Sequence, residues 1–169
     1  MELNVSQLLQ EPVGSTREYK IDEAADIIGD GKEYRAQGEC GLLRTRRGIL
    51  VKCALSSEVE LTCGRCLRRF RYPLKISFEE EFLPTIDATS GTPLPPPDDA
   101  GAFTIDENHI LDLTEAVRQY SLMAIPIKAL CHEDCAGLCQ TCGKNLNEGS
   151  CDCAAPDIDP RWANLTKLL

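Results

Sequence analysis

With 169 residues, the chain is long enough for one domain with an apolar core and a small appended lobe. Its formal net charge of −9 argues against a general nucleic-acid coat, because such proteins neutralise phosphates with a broad positive surface. Residues 1–14 lack the basic and apolar parts of a secretory signal, and no apolar run approaches the roughly 18 residues of a membrane span. These features predict a cytoplasmic protein with no membrane partner.

The charge is unevenly distributed along the chain. Residues 44–75 carry nine Lys or Arg residues against two Glu residues, a net charge of +7. Residues 76–115 carry ten acidic residues and no Lys or Arg. Any contact with RNA should therefore be local and should use the basic segment. The candidate contacts with RNA or a partner in that segment are Arg44, Arg46, Arg47, Arg65 and Arg68. The alternative interpretation is a solvated face with salt bridges.

The first half of the chain predicts strands. Residues 1–14 form a weak amphipathic turn, and residues 16–22 form a short edge strand. Even positions are small or apolar in residues 34–42, odd positions in residues 49–63, and even positions again in residues 70–78. This period of two predicts three strands, each with one face in the core, joined as an antiparallel meander.

The two turns of the meander predict its register. The first hairpin closes with Thr45 opposite Gly48, and the second closes with Thr62 opposite Leu67. A slip by one residue would turn the apolar side chains to solvent. The predicted cross-strand pairs are Cys40–Cys53, Leu42–Val51, Val59–Phe70, Leu55–Leu74, Glu60–Arg69 and Glu58–Arg71. Cys40 and Cys53 match no ligand spacing, so we interpret them as small buried side chains outside any metal site.

The second half of the chain combines a loop with helices. Residues 83–102 are rich in Pro and Asp without periodicity, which predicts a mobile, solvated loop over 84–102. Asp112 and Glu115 form a capping box ahead of apolar residues at helical spacing, which predict a helix that ends before Pro126. A short helix is expected within residues 156–169.

Trp162 lies on the apolar side of that C-terminal helix. We expect the helix either to pack on the protein's own sheet or to bind a partner, since a helix of about ten residues is marginal alone. Trp162 is therefore a further candidate for partner contact.

Eight of the ten cysteines fall into four pairs with the spacing of metal ligands. Six cysteines lie within residues 131–153, where too few apolar residues lie between them to build a core. Zinc takes four thiolates in a tetrahedron, so eight ligands fit two ions. The most compact partition puts Cys139, Cys142, Cys151 and Cys153 in one site. The second site then contains Cys63, Cys66, Cys131 and Cys135.

Three alternatives compete with this interpretation. The cysteines could be free thiols, and His132 could replace one of them as a ligand. Cys63 and Cys66 also have the spacing of a thioredoxin-type redox pair, although the period of two after them predicts no helix to lower a thiol pKa. Four-thiolate sites leave no open coordination position, and no phosphate loop or nucleophile motif is present. We therefore expect no enzyme activity and no small-molecule substrate.

The predicted fold class is α+β, an antiparallel meander with a few packed helices and a cysteine-rich C-terminal zinc lobe. The core domain is expected over residues 1–125. The zinc lobe is expected over residues 126–155, folded back on the hairpin tip that carries Cys63 and Cys66. Residues 156–169 then form the C-terminal helix.

Three segments resemble the YceD family of bacterial and plastid proteins. They read LTCGRCLRRFRYPLKISFEEEF, then CHEDCAGLCQTCGKNLNEGSCDC, then DPRWANL, and the resemblance covers about residues 34–169. It implies a role in the maturation or accumulation of 23S ribosomal RNA. The implied partner is ribosomal RNA or a large-subunit ribosomal protein in a precursor particle. We therefore expect a non-enzymatic, zinc-stabilised factor in large-subunit biogenesis, with a thiol- or metal-responsive regulator as the alternative.

Overall fold

The computed structural model of the protein describes residues 1–97 and 101–153. Its strands and helices are, in chain order, β1 (Glu2–Asn4), α1 (Ser6–Gln10), β2 (Thr16–Ala25), β3 (Tyr34–Arg44), β4 (Ile49–Thr62), β5 (Arg69–Pro84), β6 (Thr104–Ile105), β7 (Ile110–Asp112) and α2 (Thr114–Ala124). The chain divides into two compact units. The sheet unit comprises Met1–Glu60 and Arg71–Ile127, and the cysteine unit comprises Leu61–Phe70 and the described residues from Lys128 onward.

The described strands form one mixed sheet in the order β1-β7-β6-β5-β4-β3-β2. Strand β3 is antiparallel to both β2 and β4, whereas β5 is parallel to β6. Strand β7 is antiparallel to both β6 and β1. The predicted three strands are therefore the middle of a larger sheet, and the predicted edge strand is β2. With its two described helices, this mixed sheet is an α+β arrangement.

The first hairpin has the predicted register. Cys40 lies opposite Cys53 and Leu42 lies opposite Val51, and all four side chains are buried. We expected the two cysteines to be small buried neighbours outside both metal sites, which is confirmed, but we did not expect a bond between them. Cys40 and Cys53 form a disulfide, because direct cross-strand partners on one face of a sheet bring their sulfurs within bonding reach.

Salt bridges on the outer face follow the predicted pairing in part. Arg71 donates to Glu58 at 3.1 Å, as the register of the second hairpin predicts. Glu60 also accepts a hydrogen bond from Lys32, a partner that lies outside the hairpin and that strand periodicity could not indicate. Part of the basic segment is therefore neutralised on the sheet.

The core of the sheet unit is apolar and draws on residues far apart in the sequence. Its large, fully buried side chains include Leu8, Ile27, Leu42, Ile49, Val51, Leu74, Ile76, Phe82, Ile105, Leu111 and Leu113. Burying each such side chain stabilises the fold by roughly 1.5–3 kcal/mol relative to leaving it in water. The short elements α1, β6 and β7 are thus held by the core rather than by their own length.

The predicted helix is α2, but its predicted capping box is wrong. Asp112 ends strand β7, opposite Glu2, so the helix begins later and its N-cap position is Leu113. The Asp112 carboxylate accepts from the backbone N–H of the first helical residue at 2.9 Å. Glu115 does not reach back to the cap and instead accepts from Arg118 at 2.8 Å.

The segment after β5 contains more order than its composition indicates. Leu94 donates its backbone N–H to Thr85 at 2.9 Å, and Asp87 donates to Thr92 at 2.9 Å, so residues 85–94 form a hydrogen-bonded turn. Residues 98–100 and the predicted helix within residues 156–169, including Trp162, lie outside the described part of the chain. Among the described helices, none has the length and apolar character that crossing a membrane requires.

Candidate metal centres

The cysteine unit has a core made largely of sulfur. Cys63, Cys66 and Cys135 are buried, and Phe70, Leu130, Cys131 and Leu138 pack against them. Too few apolar side chains take part for burial alone to order roughly 36 residues, because each ordered residue costs about 1–2 kcal/mol of backbone entropy. Apolar burial therefore supplies only a small part of the stability that an ordered unit of this size needs.

The hairpin quartet comprises Cys63, Cys66, Cys131 and Cys135. Its four sulfur atoms lie within 4.8 Å of one another. The Sγ atoms of Cys63 and Cys135 are 3.8 Å apart, and those of Cys66 and Cys131 are 3.7 Å apart. A tetrahedral ion with metal–sulfur bonds of about 2.3 Å separates its ligands by about 3.8 Å. The hairpin quartet could therefore hold a tetrahedral metal ion.

Backbone contacts hold the two halves of the hairpin quartet together. Gly64 at the β4–β5 tip donates its N–H to Ala129 at 2.8 Å. The guanidinium of Arg65 donates to the carbonyl oxygen of Cys135 at 2.8 Å, and the backbone N–H of Arg65 points at the sulfur of Cys63 at 3.5 Å. The tip thus presents donors both to the sulfur of Cys63 and to the segment that carries the other two cysteines of the quartet.

The thiols of the hairpin quartet differ widely in pKa. The backbone N–H of Cys66, followed by that of Arg65, lowers the pKa of Cys63 to about 5. Burial, followed by the hydrogen bond with Cys66, raises the pKa of Cys131 to about 12. Loss of the proton is therefore favoured at Cys63, whereas Cys131 would lose its proton only with a cation beside it.

The terminal quartet comprises Cys139, Cys142, Cys151 and Cys153, whose sulfur atoms also lie within 4.8 Å of one another. Its first pair lies in a small turn that Cys139 closes by donating its N–H to Lys144 at 2.8 Å. Gly143 follows Cys142 with φ +73°, a conformation that glycine adopts without strain. This quartet is more open than the hairpin quartet, since Cys142 is exposed and the other three are only half-buried.

The thiols of the terminal quartet are divided in the same way. The backbone N–H groups of Cys142 and Thr141 lower the pKa of Cys139 to about 6. The hydrogen bond with Cys142 raises the pKa of Cys153 to about 12. Both quartets therefore combine a preformed thiolate with a thiol that a bound cation would deprotonate.

The structure argues against the two other sequence interpretations of these cysteines. Cys63 and Cys66 lie at a hairpin tip and not at the N-terminus of a helix, so they lack the dipole of a thioredoxin-type pair. Each has its short sulfur contact with Cys135 or Cys131. The ring of His132 lies 3.1 Å from the Cys131 sulfur, where it is a hydrogen-bond partner of a ligand rather than a replacement for one.

The predicted contact arginines differ in their surroundings. Arg44 is half-buried and donates to the carbonyl oxygens of Leu9, Thr45 and Gly48, so its guanidinium is engaged within the fold. Arg46 and Arg47 are exposed at the turn between β3 and β4. In the cysteine unit, Arg65 supports the hairpin quartet and Arg68 is exposed. Arg46 and Arg68 therefore present their charge to solvent, whereas the exposed guanidinium of Arg47 also lies 3.9 Å from the Glu81 carboxylate.

Internal partners also engage several acids of the segment 76–115. Glu79 pairs with Lys52 at 3.0 Å, Glu80 accepts from Tyr120, and Glu81 accepts from the Thr45 hydroxyl at 2.7 Å. Much of the acidic charge on β5 is thus used within the sheet unit.

Asn147 takes part in the site although ligand spacing gives no reason to select it. Its side-chain nitrogen lies 3.4 Å from the sulfur of Cys135, and its side-chain oxygen accepts from Ala136 at 2.8 Å. The available signal was the sequence Asn145-Leu146-Asn147 directly after the turn that carries Cys139 and Cys142.

The chain is similar to several mycobacterial proteins. The chain is 30% identical over 122 residues to an uncharacterized protein of Mycobacterium bovis, covering 72% of this chain and 56% of the relative. An uncharacterized protein of Mycobacterium leprae is 28% identical over 123 residues, covering 72% and 53%. The chain thus spans about half the length of these relatives. No solved structure matches it.

A plant relative carries a functional description. The large ribosomal RNA subunit accumulation protein YCED homolog 1 of Arabidopsis thaliana, a chloroplastic protein, is 34% identical over 58 residues, 34% of this chain and 18% of the relative. The family described as large ribosomal RNA subunit accumulation protein YceD matches residues 51–169, a segment that contains both quartets. Because this match covers well over half of the chain, the protein belongs to the YceD family.

Proposed function

We propose that this protein is a non-enzymatic, zinc-stabilised cytoplasmic factor that promotes the processing or accumulation of 23S ribosomal RNA in large-subunit biogenesis. The observation that carries the proposal is the family match over residues 51–169, which contains both cysteine quartets. The family description names the accumulation of large-subunit ribosomal RNA. Metal bound at the two quartets would stabilise the fold of this segment.

Zinc is the metal that the donor set favours. Four thiolates in a tetrahedron are typical of structural zinc, whereas oxygen ligands are typical of magnesium and calcium. Such a site is closed, because all four coordination positions belong to the protein. This supports a binding factor over an enzyme.

The partner is ribosomal RNA or a large-subunit ribosomal protein in a precursor particle. Arg46 and Arg47 on the sheet unit, and Arg68 on the cysteine unit, supply exposed positive charge for RNA phosphates. A basic protein partner would instead bind the acidic segment, residues 76–115.

The test combines a cellular and a biochemical measurement. In cells lacking the protein, the ratio of precursor to mature 23S RNA should rise, and the wild-type chain should restore it. Arg46→Ala/Arg47→Ala and Arg68→Ala should weaken co-sedimentation with large-subunit precursors, whereas Lys20→Ala, outside the basic segment, is the matched control. Capture before and after RNase treatment separates contacts carried by RNA from contacts with protein. Unchanged 23S RNA in the absence of the protein would overturn the proposal.

A thiol- or metal-responsive regulator is the second candidate, and the openness of the terminal quartet favours it. Cys142 is exposed, so an oxidant or a competing chelator could reach this quartet before the hairpin quartet. In a regulator, loss of metal from the terminal quartet under mild oxidation should change association with the precursor particle. In a structural factor, the thiols should resist alkylation as long as metal is bound.

A further inference from the structure

We infer that the two metal centres are coupled, and that the side-chain amide of Asn147 carries the coupling by donating a hydrogen bond to a ligand sulfur of the hairpin quartet. The inference rests on the proposed zinc binding. It concerns how the two quartets depend on each other, which neither the family description nor the ligand geometry states.

The orientation of the Asn147 amide is fixed by its neighbours. The backbone N–H of Ala136 can only donate, and it lies 2.8 Å from the side-chain oxygen of Asn147. The side-chain nitrogen must therefore point the other way, where the sulfur of Cys135 lies at 3.4 Å and the side-chain oxygen of Asn145 at 2.7 Å. Asn147 thus offers one N–H to sulfur and one to Asn145.

The position of Asn147 depends on the turn of the terminal quartet. Leu138 and Asn145 pair across this turn, which holds Cys139 and Cys142. Asn145 accepts from the backbone N–H of Asn147 at 3.1 Å, which ties Asn147 to the turn. Metal bound at the terminal quartet fixes this turn and therefore the amide beside Cys135.

The link also runs through the backbone. Leu146 donates its N–H to the carbonyl oxygen of Gly137 at 2.9 Å, and Gly137 follows Cys135 by two residues. A Cβ atom at Gly137, where φ is +76°, would lie 3.3 Å from the carbonyl oxygen of Arg65 at the hairpin tip. The segment between the two quartets is therefore packed closely on both sides, so an adjustment at one quartet reaches the other.

An N–H donor beside a ligand thiolate changes the stability of the metal bond. Removing a partner of this kind commonly costs 10–100-fold in metal affinity. Because coupling free energies are reciprocal, metal at the hairpin quartet must also favour metal at the terminal quartet. The expected behaviour is cooperative loading, in which chains with one ion are scarce.

The experiment measures the affinity of each site in the full chain. Cadmium-113 binding followed by NMR gives one resonance per quartet, and each is assigned with Cys139→Ser/Cys142→Ser or Cys131→Ser/Cys135→Ser. Asn147→Asp keeps the oxygen that accepts from Ala136 but loses both side-chain N–H donors, the one to the Cys135 sulfur and the one to Asn145. It should lower the affinity of the hairpin quartet by about tenfold and shift its cadmium resonance.

The matched control is Asn145→Asp combined with Glu148→Gln. It places a carboxylate beside Asn147, keeps the oxygen that accepts from Asn147, and preserves a side-chain hydrogen bond between positions 145 and 148, where Asn145 donates to Glu148 at 2.8 Å in the wild type. It should change the hairpin-quartet affinity by less than about threefold, because it removes no hydrogen bond to a ligand. An equal loss in both variants would show that charge and not the hydrogen bond is responsible, and would overturn the role of Asn147.

A double-mutant cycle tests the coupling itself. In the chain with Cys139→Ser/Cys142→Ser, the added change Asn147→Asp should alter the hairpin-quartet affinity by less than about twofold, since the turn no longer holds the amide. An undiminished tenfold effect would overturn the coupling alone. So would a one-ion population of about half of the chains at half saturation, which is the result for two independent sites of equal affinity. A chain that binds metal at neither quartet would overturn the proposed zinc binding as well.

Discussion

The sheet unit contains most of the 16-residue strand β5, and buried side chains such as Leu42, Val51 and Ile76 come from separate strands. In the cysteine unit, by contrast, the described buried side chains are three cysteines, and no described helix or long strand lies between Lys128 and Cys153. The first unit gains stability from many small apolar contributions. We propose that the second depends instead on a few strong bonds to metal.

This difference determines how each unit should respond to damage. A sheet held by many apolar contacts loses a limited amount of stability with each side chain removed. A unit held by metal ligands loses most of its stability at once when the ion leaves. The following predictions test that contrast, starting with the largest effect.

Removal of metal should unfold the cysteine unit and leave the sheet unit folded. Structural zinc contributes roughly 10–16 kcal/mol of apparent folding free energy to small zinc domains. After treatment with a strong chelator, amide hydrogen exchange should become fast in residues 128–153 and stay slow in β3 and β4. Simultaneous loss of exchange protection in both units would show that the sheet unit does not stay folded without the cysteine unit.

Replacement of a core side chain should cost much less than loss of metal. Leu42→Ala should lower the free energy of unfolding of the sheet unit by roughly 3–4 kcal/mol, because Leu42 is fully buried. Leu43→Ala, on the half-buried opposite face, should cost below about 1 kcal/mol. Denaturant unfolding measures both. Equal losses would contradict the observed register.

Loss of the Cys40–Cys53 disulfide should have an effect of similar size. The bond joins residues 13 apart, and closing a loop of this length in the unfolded chain is worth about 3 kcal/mol. Cys40→Ala/Cys53→Ala should lower the midpoint of thermal unfolding without changing the metal content. A fall in bound metal would place these cysteines in the metal centres, contrary to the structure.

The smallest effect is expected at the outer salt bridge. Arg71 and Glu58 are largely exposed, so Arg71→Ala should change the free energy of unfolding by less than about 1 kcal/mol. The difference between Arg71→Ala and the wild type should shrink as salt is added. A larger, salt-independent loss would show that the side chain of Arg71 contributes by packing.

The residue pattern was sufficient to predict the central hairpin, because the alternation of apolar and polar residues there indicates which side chains face the core. Leu42 and Val51 alternate with polar neighbours, and the turn between them allows one register. The grouping of the cysteines into two quartets could also be predicted, because the spacing of the pairs and the four ligands of a tetrahedral site restrict the possible sets. For the hairpin and for each cysteine pair, the information lies in positions close along the chain. The assignment of the distant pairs Cys63/Cys66 and Cys131/Cys135 to one site follows from the four ligands that each ion takes.

Features that depend on distant contacts could not be predicted. Strands β6 and β7 are only two and three residues long, too short for a period to show, and exist because the sheet and core hold them. The Cys40–Cys53 bond depends on the chemistry of two sulfurs and not on register alone. Asn147 reaches Cys135 only through the fold of the turn between them.

The hairpin quartet joins residues that leave the ribosome at very different times. Its sulfur contacts connect positions 65 and 72 residues apart. At roughly 5–20 residues per second, Cys63 and Cys66 must wait roughly 3–14 seconds for their partners during translation. Throughout that interval Cys53, ten residues before Cys63, is the nearest thiol able to mispair. In the folded chain Cys53 is bonded to Cys40, so it offers no free thiol to the hairpin tip.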